Sequence, residues 1–578
     1  MASRASLRTM PRWIALLVLL GLAWAQYDLV VYGATPQGVV AAVAAAQEGL
    51  KVALVEPGRG VGGVLTQGWL ATLDVAKDGE GLLQGGLFRE FYRRVGGEPS
   101  FDVERAEEVL WDMLRQSGVE VRLEEPLDGV EVEAPRLLAL KTPKATYQAP
   151  YFLDASDTAE LAFRAGASFT LGREDTGLDR RLMAATLVFR LEGVPWGAVF
   201  LALNYEGQVR RTGAGAWGRS GWGFGELVRG YTPSDPTRYA LRGLNLSRQD
   251  DGSLLVNALL LFGLEGLDPL ELERRRQEAA LEAERVVAFL REKDPLLFGT
   301  ARLAQVAPLL YIRESRHLKA LYRLRAEEVL LGKDFPDAVA LGGYPLDGQA
   351  YFPGETPYLL GTPAPYGVPF RTLVPREVAN LLVVSQAAGF DSVAAFSARV
   401  VPLQMALGEA AGVAAALLRL APQAGLERVP MGTFQELAAS PNALEALRKR
   451  LLERGGRLSS REKGRAETDR PGYREAVSLL RRGLFAGPYY LKGTLGLSEP
   501  ILLGDFLANL EHYYRAKDPE ERLRVVLKAR ELYREELHKP LRRPLLSQIL
   551  QALGEPPLPG EGGVSRGEAA KLLSRLLP

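Results

Sequence analysis

Cysteine is absent from the 578 residues, and histidine occurs only as His317, His512 and His538. The first absence excludes disulfides, thiolate nucleophiles, iron–sulfur ligation and cysteine-based zinc sites. The second leaves few ligands for a metal and few bases for a Ser-His-Asp site, so no metal is expected. Lysine is scarce too, 14 residues against 57 arginines. That skew fits a GC-rich genome or a hot habitat, and the missing thermolabile cysteine fits the second. Neither sign of charge prevails, with 71 Lys+Arg against 70 Asp+Glu, so nothing draws the whole chain to nucleic acid. What is present is ordinary globular material, 47% hydrophobic and 24% charged, which rules out wholesale disorder. The length suggests two to four domains.

Residues 1–25 read as an export signal. Arg4, Arg8 and Arg12 precede an apolar run from Trp13 to Leu22, and Ala23-Trp24-Ala25 is an A-x-A cleavage site. A Sec-type signal peptide cut before Gln26 is expected, which places the body in the periplasm, in the cell envelope or outside the cell. An uncleaved N-terminal anchor is the alternative. The run is short for a membrane span, and no later segment repeats it, so no transmembrane domain is expected after cleavage.

Tyr27 to Tyr32 is an apolar, β-rich run followed by Gly33-Ala34-Thr35-Pro36-Gln37-Gly38, an Ala/Val-rich stretch to Glu48, and a second apolar run from Lys51 to Val55 ending at Glu56. The pattern is strand, turn, helix, strand, with an acid 23 positions after the first glycine. Gly33 allows the tight turn, and Gly38 lets the helix approach the sheet. The helix that starts at Ala34-Thr35-Pro36 faces a pyrophosphate with the free N–H groups of its N-terminus, and Glu56 can accept from a ribose diol. Thr35 stands where G-x-G-x-x-G has its middle glycine. A second glycine cluster, from Gly58 through Gly62, Gly63 and Thr66 to Gly68, follows at once. A nicotinamide domain has no need of such a loop there, whereas an FAD domain folds one back toward the flavin. FAD is the expected cofactor.

These residues, with Leu54-Val55-Glu56-Pro57, resemble the FAD-dependent oxidoreductase family whose members read "GGTPAG … EP … GGMLTSGG". Phe152-Leu153-Asp154-Ala155-Ser156-Asp157 is similar to its "FIDATYEGDLA" stretch, and Ile312-Arg313-Glu314-Ser315-Arg316-His317 to its "IRESRR". Val368 to Pro375, Asn380 to Val384, Arg399 to Pro402 and Met405 to Gly412 are similar to "IPYRSLVP", "NLLVAGR", "RVMP" and "MALGQAAG". The resemblance spans roughly residues 27–418. It implies an α/β fold with a discontinuous, glutathione-reductase-like, Rossmann-type FAD domain (26–166 and 366–420) around an inserted α+β substrate domain (167–365). A mostly helical accessory region (421–578) follows. It further implies that Asp154, Ala155, Gly389 and Gly408 lie at the cofactor, and that the helix from about Val400 to Leu420 aims its N-terminus at the flavin. A closely packed core helix would look the same in sequence.

The departures from the family pattern also carry information. Val384-Ser385-Gln386-Ala387-Ala388-Gly389 stands where relatives read "AGRCIS", which removes an arginine expected near cofactor or substrate. Arg313 and Arg316, three apart, are expected to share one helix face with Glu314 off it, and a pair of guanidiniums can clamp a carboxylate or stabilise an oxyanion. The other candidates for chemistry are Arg399, on family position, and His317, on its rarity.

In the middle, Leu182 to Glu192 and Ser253 to Leu261 read as strands and Pro269 to Lys293 as an amphipathic helix. Trp196 to Tyr239 reads as a long aromatic and glycine-rich loop, either a wall for an apolar substrate or a set of anchors. After Leu420, residues 448–482 hold 12 Lys+Arg against five Asp+Glu, and two segments, Pro500 to Leu507 and Gly563 to Ala570, each open a helix in a way that resembles surface-layer homology modules. The expected function is an exported FAD-dependent oxidoreductase moving hydride from a small organic substrate to flavin N5. The competing expectation is an envelope-associated binding protein, with the basic stretch or the C-terminus docked on cell-wall polymer.

Overall fold

The structure is a computed structural model that describes residues 26–205, 214–355, 357–420, 432–517 and 520–578. The expected signal peptide lies outside the described residues. The first part of the chain supplies β1 (Leu29–Tyr32), α1 (Pro36–Gln47), β2 (Val52–Val55), α2 (Val103–Ser117), β3 (Glu120–Arg122) and β4 (Tyr151–Asp154). β1, β2 and β4 are buried at every residue, as apolar strands covered on both faces should be. α2 is capped at its start by Asp102, which accepts from Arg105 N, and stopped by Gly118 in the left-handed region.

An insertion follows with β5 (Ala185–Glu192), β6 (Gly215–Trp217), β7 (Ser220–Gly223), β8 (Tyr239–Arg248), β9 (Leu254–Leu261), α3 (Pro269–Lys293) and β10 (Arg302–Val306). Its strands form an antiparallel sheet in the order β6-β7-β8-β9-β5-β10. The helix read over Pro269–Lys293 forms with those bounds, with Asp268 as N-cap and Pro269 at N1. The expected loop from Trp196 to Tyr239 is corrected: among its described residues are a helix over Trp196–Asn204, β6, β7 and a short helix over Gly225–Val228. Strands this short, built of Gly, Ala, Ser and Trp, carry no alternation for a sequence reading to find.

The chain then returns to the first sheet through β11 (Leu381–Val383) and α4 (Val401–Leu420). The sheet is parallel throughout in the order β11-β4-β1-β2-β3. Tyr32, Val55, Asp154 and Val383 stand in register at its carboxyl edge, the edge at which such sheets bind ligands. α4 is long and apolar enough to cross a membrane, yet most of it is buried within the body. It lies so close to α1 that a Cβ on Gly408 would stand 2.3 Å from the Gln37 carbonyl oxygen, and one on Gly412 2.2 Å from that of Ala41.

The C-terminal region is helical, with α5 (Pro441–Glu453), α6 (Leu503–Lys517), α7 (Arg543–Ala552) and α8 (Arg566–Leu576) among its members. α5 starts as its sequence requires, Ser440 accepting from Ala443 N ahead of Pro441. The segments entering α6, α7 and α8 close on one another in a ring. Ile501 N donates to Val564 O (2.9 Å), Val564 N to Leu541 O (3.0 Å) and Leu541 N to Ile501 O (2.8 Å). A second tier repeats it, from Leu503 N to Lys539 O, Arg543 N to Gly562 O and Arg566 N to Glu499 O. Two of the three segments are those that echo each other in sequence. The third, around Leu541, carries Arg542-Arg543-Pro544, which masks the likeness. The basic stretch is engaged with the body: Arg450 and Arg454 pair with Glu48, Arg454 also with Glu409, Arg457 with Asp78, Lys463 with Asp334 and Arg481 with Glu327.

Candidate functional site

At the carboxyl edge the turn after β1 is shaped by backbone demands. Gly33 has φ +100°, and a Cβ there would stand 2.9 Å from Ser156 N. A Cβ on Gly38 would meet the Gly33 carbonyl oxygen at 2.0 Å, so α1 can lie this close only without one. Thr35 is the N-cap of α1, accepting from Gly38 N, and its Oγ1 donates to the Ala155 carbonyl at 2.8 Å. The residue that breaks the glycine pattern therefore supplies a cap and a tie to β4, and Pro36 follows at N1. The second glycine cluster does fold back: Gly62 N donates to Ala34 O at 2.6 Å, and Thr66 Oγ1 bonds the Val61 carbonyl. Gly63 comes to rest against Thr35. Glu56 joins the turn, its Oε2 accepting from Ala34 N (2.6 Å) and its Oε1 from Gly58 N (2.7 Å). Burial pushes its carboxyl up to about 7, against the pull of those two N–H groups.

Three cavities run outward from this turn. The first, about 220 Å³, is walled by Gly33, Thr35, Glu56, Gly63 and Asp157, with Pro269 and Arg276 of α3 opposite. The middle one is bounded by Gln37, Val64, Asp157, Ile312, Gln386 and the start of α4 at Val401 and Gln404. Asp157 and Ile312 line both. The outer one, about 340 Å³, lies under the insertion's sheet, between Trp69, Trp222, Arg242, Asn257 and Gln349. Asp74, Tyr311, Arg313 and Arg399 face both the middle and the outer cavity.

The charged groups at that junction perturb one another. Enclosure pushes Asp74 up to about 6, with Arg399 pulling it down and Asp347 pushing it further up. Burial also pushes Asp157 to about 6 against a hydrogen bond from Gln386. Burial lowers Arg313 to about 9, with Arg242 and Arg399 repelling it. A carboxylate, two guanidiniums and a phenol thus meet at the junction, with Arg242 in the outer cavity beside them.

Of the residues singled out in sequence, Gly33, Thr35, Glu56 and Gly63 wall the first cavity, and Arg313 and Arg399 come together between the middle and outer ones. The helical pairing of Arg313 with Arg316 is corrected. Arg316–Leu318 is a strand, antiparallel to Phe169–Leu171, and residues three apart in extended chain face opposite ways. Arg316 Nη1 donates to the Thr158 carbonyl at 2.8 Å, and its guanidinium lies over Phe163. His317 is buried, with Nε2 3.2 Å from Glu314 Oε1, and lines none of the three cavities. Asp154 accepts from Ser156 N, Ser156 Oγ and Ala162 N, which fixes the turn after β4. Gly389 packs under Ala320 and the Thr372 carbonyl, and Gly408 against α1.

Sequence reasoning missed Asp74, Asp157, Arg242, Tyr311 and Gln386. Arg242 carried a faint signal, a cation inside a largely apolar strand. Gln386 stands in the segment that departs from the family, and the cations of that region come from Arg313 and Arg399. Of the eight aromatics from Trp196 to Tyr239, Trp222 walls the outer cavity, while Phe224, Tyr231 and Trp196 pack edge-on to Phe298, Phe289 and Phe200.

The arrangement fits a bound dinucleotide. The first cavity offers a helix N-terminus and a glycine cradle for a pyrophosphate. The middle one, about 30 Å³, mixes apolar and polar walls and holds an acceptor, Gln404 Oε1, that among the described residues is buried without a partner. The family profile described as FAD dependent oxidoreductase matches residues 28–437. No curated protein matches the chain. Among solved structures it is similar to a geranylgeranyl bacteriochlorophyll reductase-like protein from Thermoplasma acidophilum, at 13% identity over 87% of this chain and 98% of that one, with a TM-score of 0.35. It is also similar to p-nitrophenol 4-monooxygenase from Pseudomonas putida (11% identity, 89% and 99% covered, TM-score 0.33) and to a myxobacterial chondrochloren halogenase (14%, 73% and 78%, 0.35).

Proposed function

Because the chain belongs to the FAD-dependent oxidoreductase family, with FAD as its cofactor, we propose that it oxidises a small organic molecule held in the outer cavity by hydride transfer to the flavin. One observation carries the reading: Asp74, Tyr311, Arg313 and Arg399 face both the chamber under the insertion and the cavity beside α4, so a substrate in the one has its reacting carbon at the mouth of the other. FAD supplies the two-electron acceptor. The start of α1 and the glycines around it take the pyrophosphate, and Glu56 takes the ribose. At this site the Asp74 carboxylate would take the proton of the substrate O–H or N–H next to the carbon that is oxidised. Arg399 and Arg313 orient the substrate, beside walls that Trp69 and Trp222 supply.

We further propose that the protein is exported through the signal at residues 1–25 and works outside the cytoplasm. N-terminal sequencing of the secreted protein should begin at Gln26. The alternative of polymer docking loses its main support, since six cations of the basic stretch are engaged with carboxylates of the body.

The test is the absorption spectrum of the purified protein with a panel of small alcohols, amines and acids under anaerobic conditions. A flavin spectrum bleached by one class supports the proposal. Protein that binds no added FAD, or flavin that no member reduces, would count against it.

A further inference from the structure

Three guanidiniums, those of Arg242, Arg313 and Arg399, face the outer cavity, and among the described residues none has a carboxylate in close contact. The nearest is Asp347, whose Oδ2 is 3.8 Å from Arg399 Nη2. Their nitrogens turn to neutral oxygens instead. Arg242 Nη1 donates to Gln349 Oε1 (3.1 Å), Arg313 Nη1 to the Ala184 carbonyl (2.8 Å) and Thr186 hydroxyl (2.7 Å), and Arg399 Nη1 to the Tyr311 hydroxyl (3.1 Å). Asn257 Oδ1 accepts from both Arg242 Nη2 (3.1 Å) and Arg313 Nη2 (3.4 Å). Two guanidiniums that share one acceptor are close enough for a single small anion to touch both.

Two other buried arginines of the insertion do meet carboxylates, while a third, Arg275, turns to the Phe262 and Gly263 carbonyls and has Glu278 only at 3.8 Å. Arg173 is paired with Asp179 at 2.6 Å, and Arg190 with Glu104 and Asp251. Among the described residues the Nε atoms of Arg242 and Arg399 are buried without a partner, as are those of Arg190 and Arg275. Among the described residues Asp74 and Asp347 are the carboxylates that face the chamber, two against three cations. An uncompensated buried charge is costly, and an anionic ligand relieves it. Arg313 and Arg399 also border the flavin's place and can serve it. Arg242 lines the outer cavity alone.

We propose that the substrate is a small organic carboxylate, gripped through its carboxylate by Arg242 and Arg313, with its oxidisable carbon turned toward Asp74. This rests on the flavoenzyme reading above for the reaction, though not for the binding. Guanidinium pairs meet carboxylates through parallel, charge-assisted bonds, and Trp69 and Trp222 cover the remainder of the molecule.

The experiment uses the full chain with benzoate and succinate as probes and benzamide and succinamide as their neutral counterparts. Binding is read as a saturable change in flavin absorption and, independently, by titration calorimetry. At least one carboxylate should bind, and its amide should not bind at the same concentration. Arg242→Gln should raise the dissociation constant by about 10- to 100-fold with flavin content and unfolding temperature unchanged, and Arg242→Lys should recover part of the loss. Amides that bind as well as acids, no binding of either acid to folded protein, or wild-type affinity in both variants would overturn the proposal. Protein that takes up the acids but no flavin would sink the flavoenzyme reading and leave this one standing.

Discussion

His512 Nδ1 lies 2.5 Å from Glu355 Oε1, and neither side chain reaches solvent. The histidine belongs to α6 in the tail, the glutamate to the stretch that leads back to the sheet. The imidazole also lies against the Tyr358 ring, with centroids 3.5 Å apart. Burial alone would push Glu355 up, yet His512, Arg173 and the Tyr351 N–H hold it below the usual carboxylate range. The tail is thus locked to the body through a pair that cannot lose one member cheaply.

His512→Ala should lower stability by about 3–5 kcal/mol, because it leaves a buried carboxylate unpaired. Denaturant unfolding of the full chain measures it. Since the folded carboxyl lies below its unfolded value of about 4.3, its contribution is complete above that pH and is lost as the pH falls through the lower folded value. Glu355→Gln should therefore show a shallower loss of stability on acidification than the wild type.

Asp74→Asn should slow flavin reduction by about 10²- to 10⁴-fold if the carboxylate takes the proton. In the wild type the reduction rate should rise as the pH passes upward through about 6, where Asp74 ionises, and the variant should lack that limb. Stopped-flow reduction with an identified substrate gives both, and an unchanged profile would remove Asp74 from the reaction.

Gly408→Ala puts a methyl group against the Gln37 carbonyl, backbone against backbone. Overpacking of this kind costs about 1–3 kcal/mol. If the glycine serves helix packing, the apoprotein and the FAD-loaded protein lose stability equally. If it serves the cofactor, only the loaded form does. Thermal unfolding with and without FAD separates the two.

Glu56→Gln should weaken FAD binding by about 10- to 100-fold, the worth of a hydrogen bond to a charged group. Fluorescence titration of the apoprotein with FAD is the measurement, and unaltered affinity would leave Glu56 as a brace for the turn between Ala34 and Gly58.

Much of the cofactor half was legible because its constraints are local. Gly33, Gly38 and Glu56 are set by one turn and its two strands, so they sit close together in the chain and form a spacing. The outer cavity is assembled from Asp74, Arg242, Arg313 and Arg399, which are drawn from four distant stretches. No spacing records their meeting. Arg313 was found through family likeness, and its supposed partner Arg316 was misplaced because a short polar run does not reveal whether its period is that of a helix or a strand. Trp222 was visible only as one of eight aromatics, since a wall and an anchor are the same residue type until the fold decides.

The ring that joins the segments before α6, α7 and α8 has a dynamic consequence. Each segment both gives and receives in each tier, so no member can detach without orphaning backbone groups on the other two. The amides of Ile501, Leu503, Leu541, Arg543, Val564 and Arg566 should accordingly exchange with solvent as one cooperative unit. A closed circuit of this kind has no free edge from which to fray, and its opening is all-or-none.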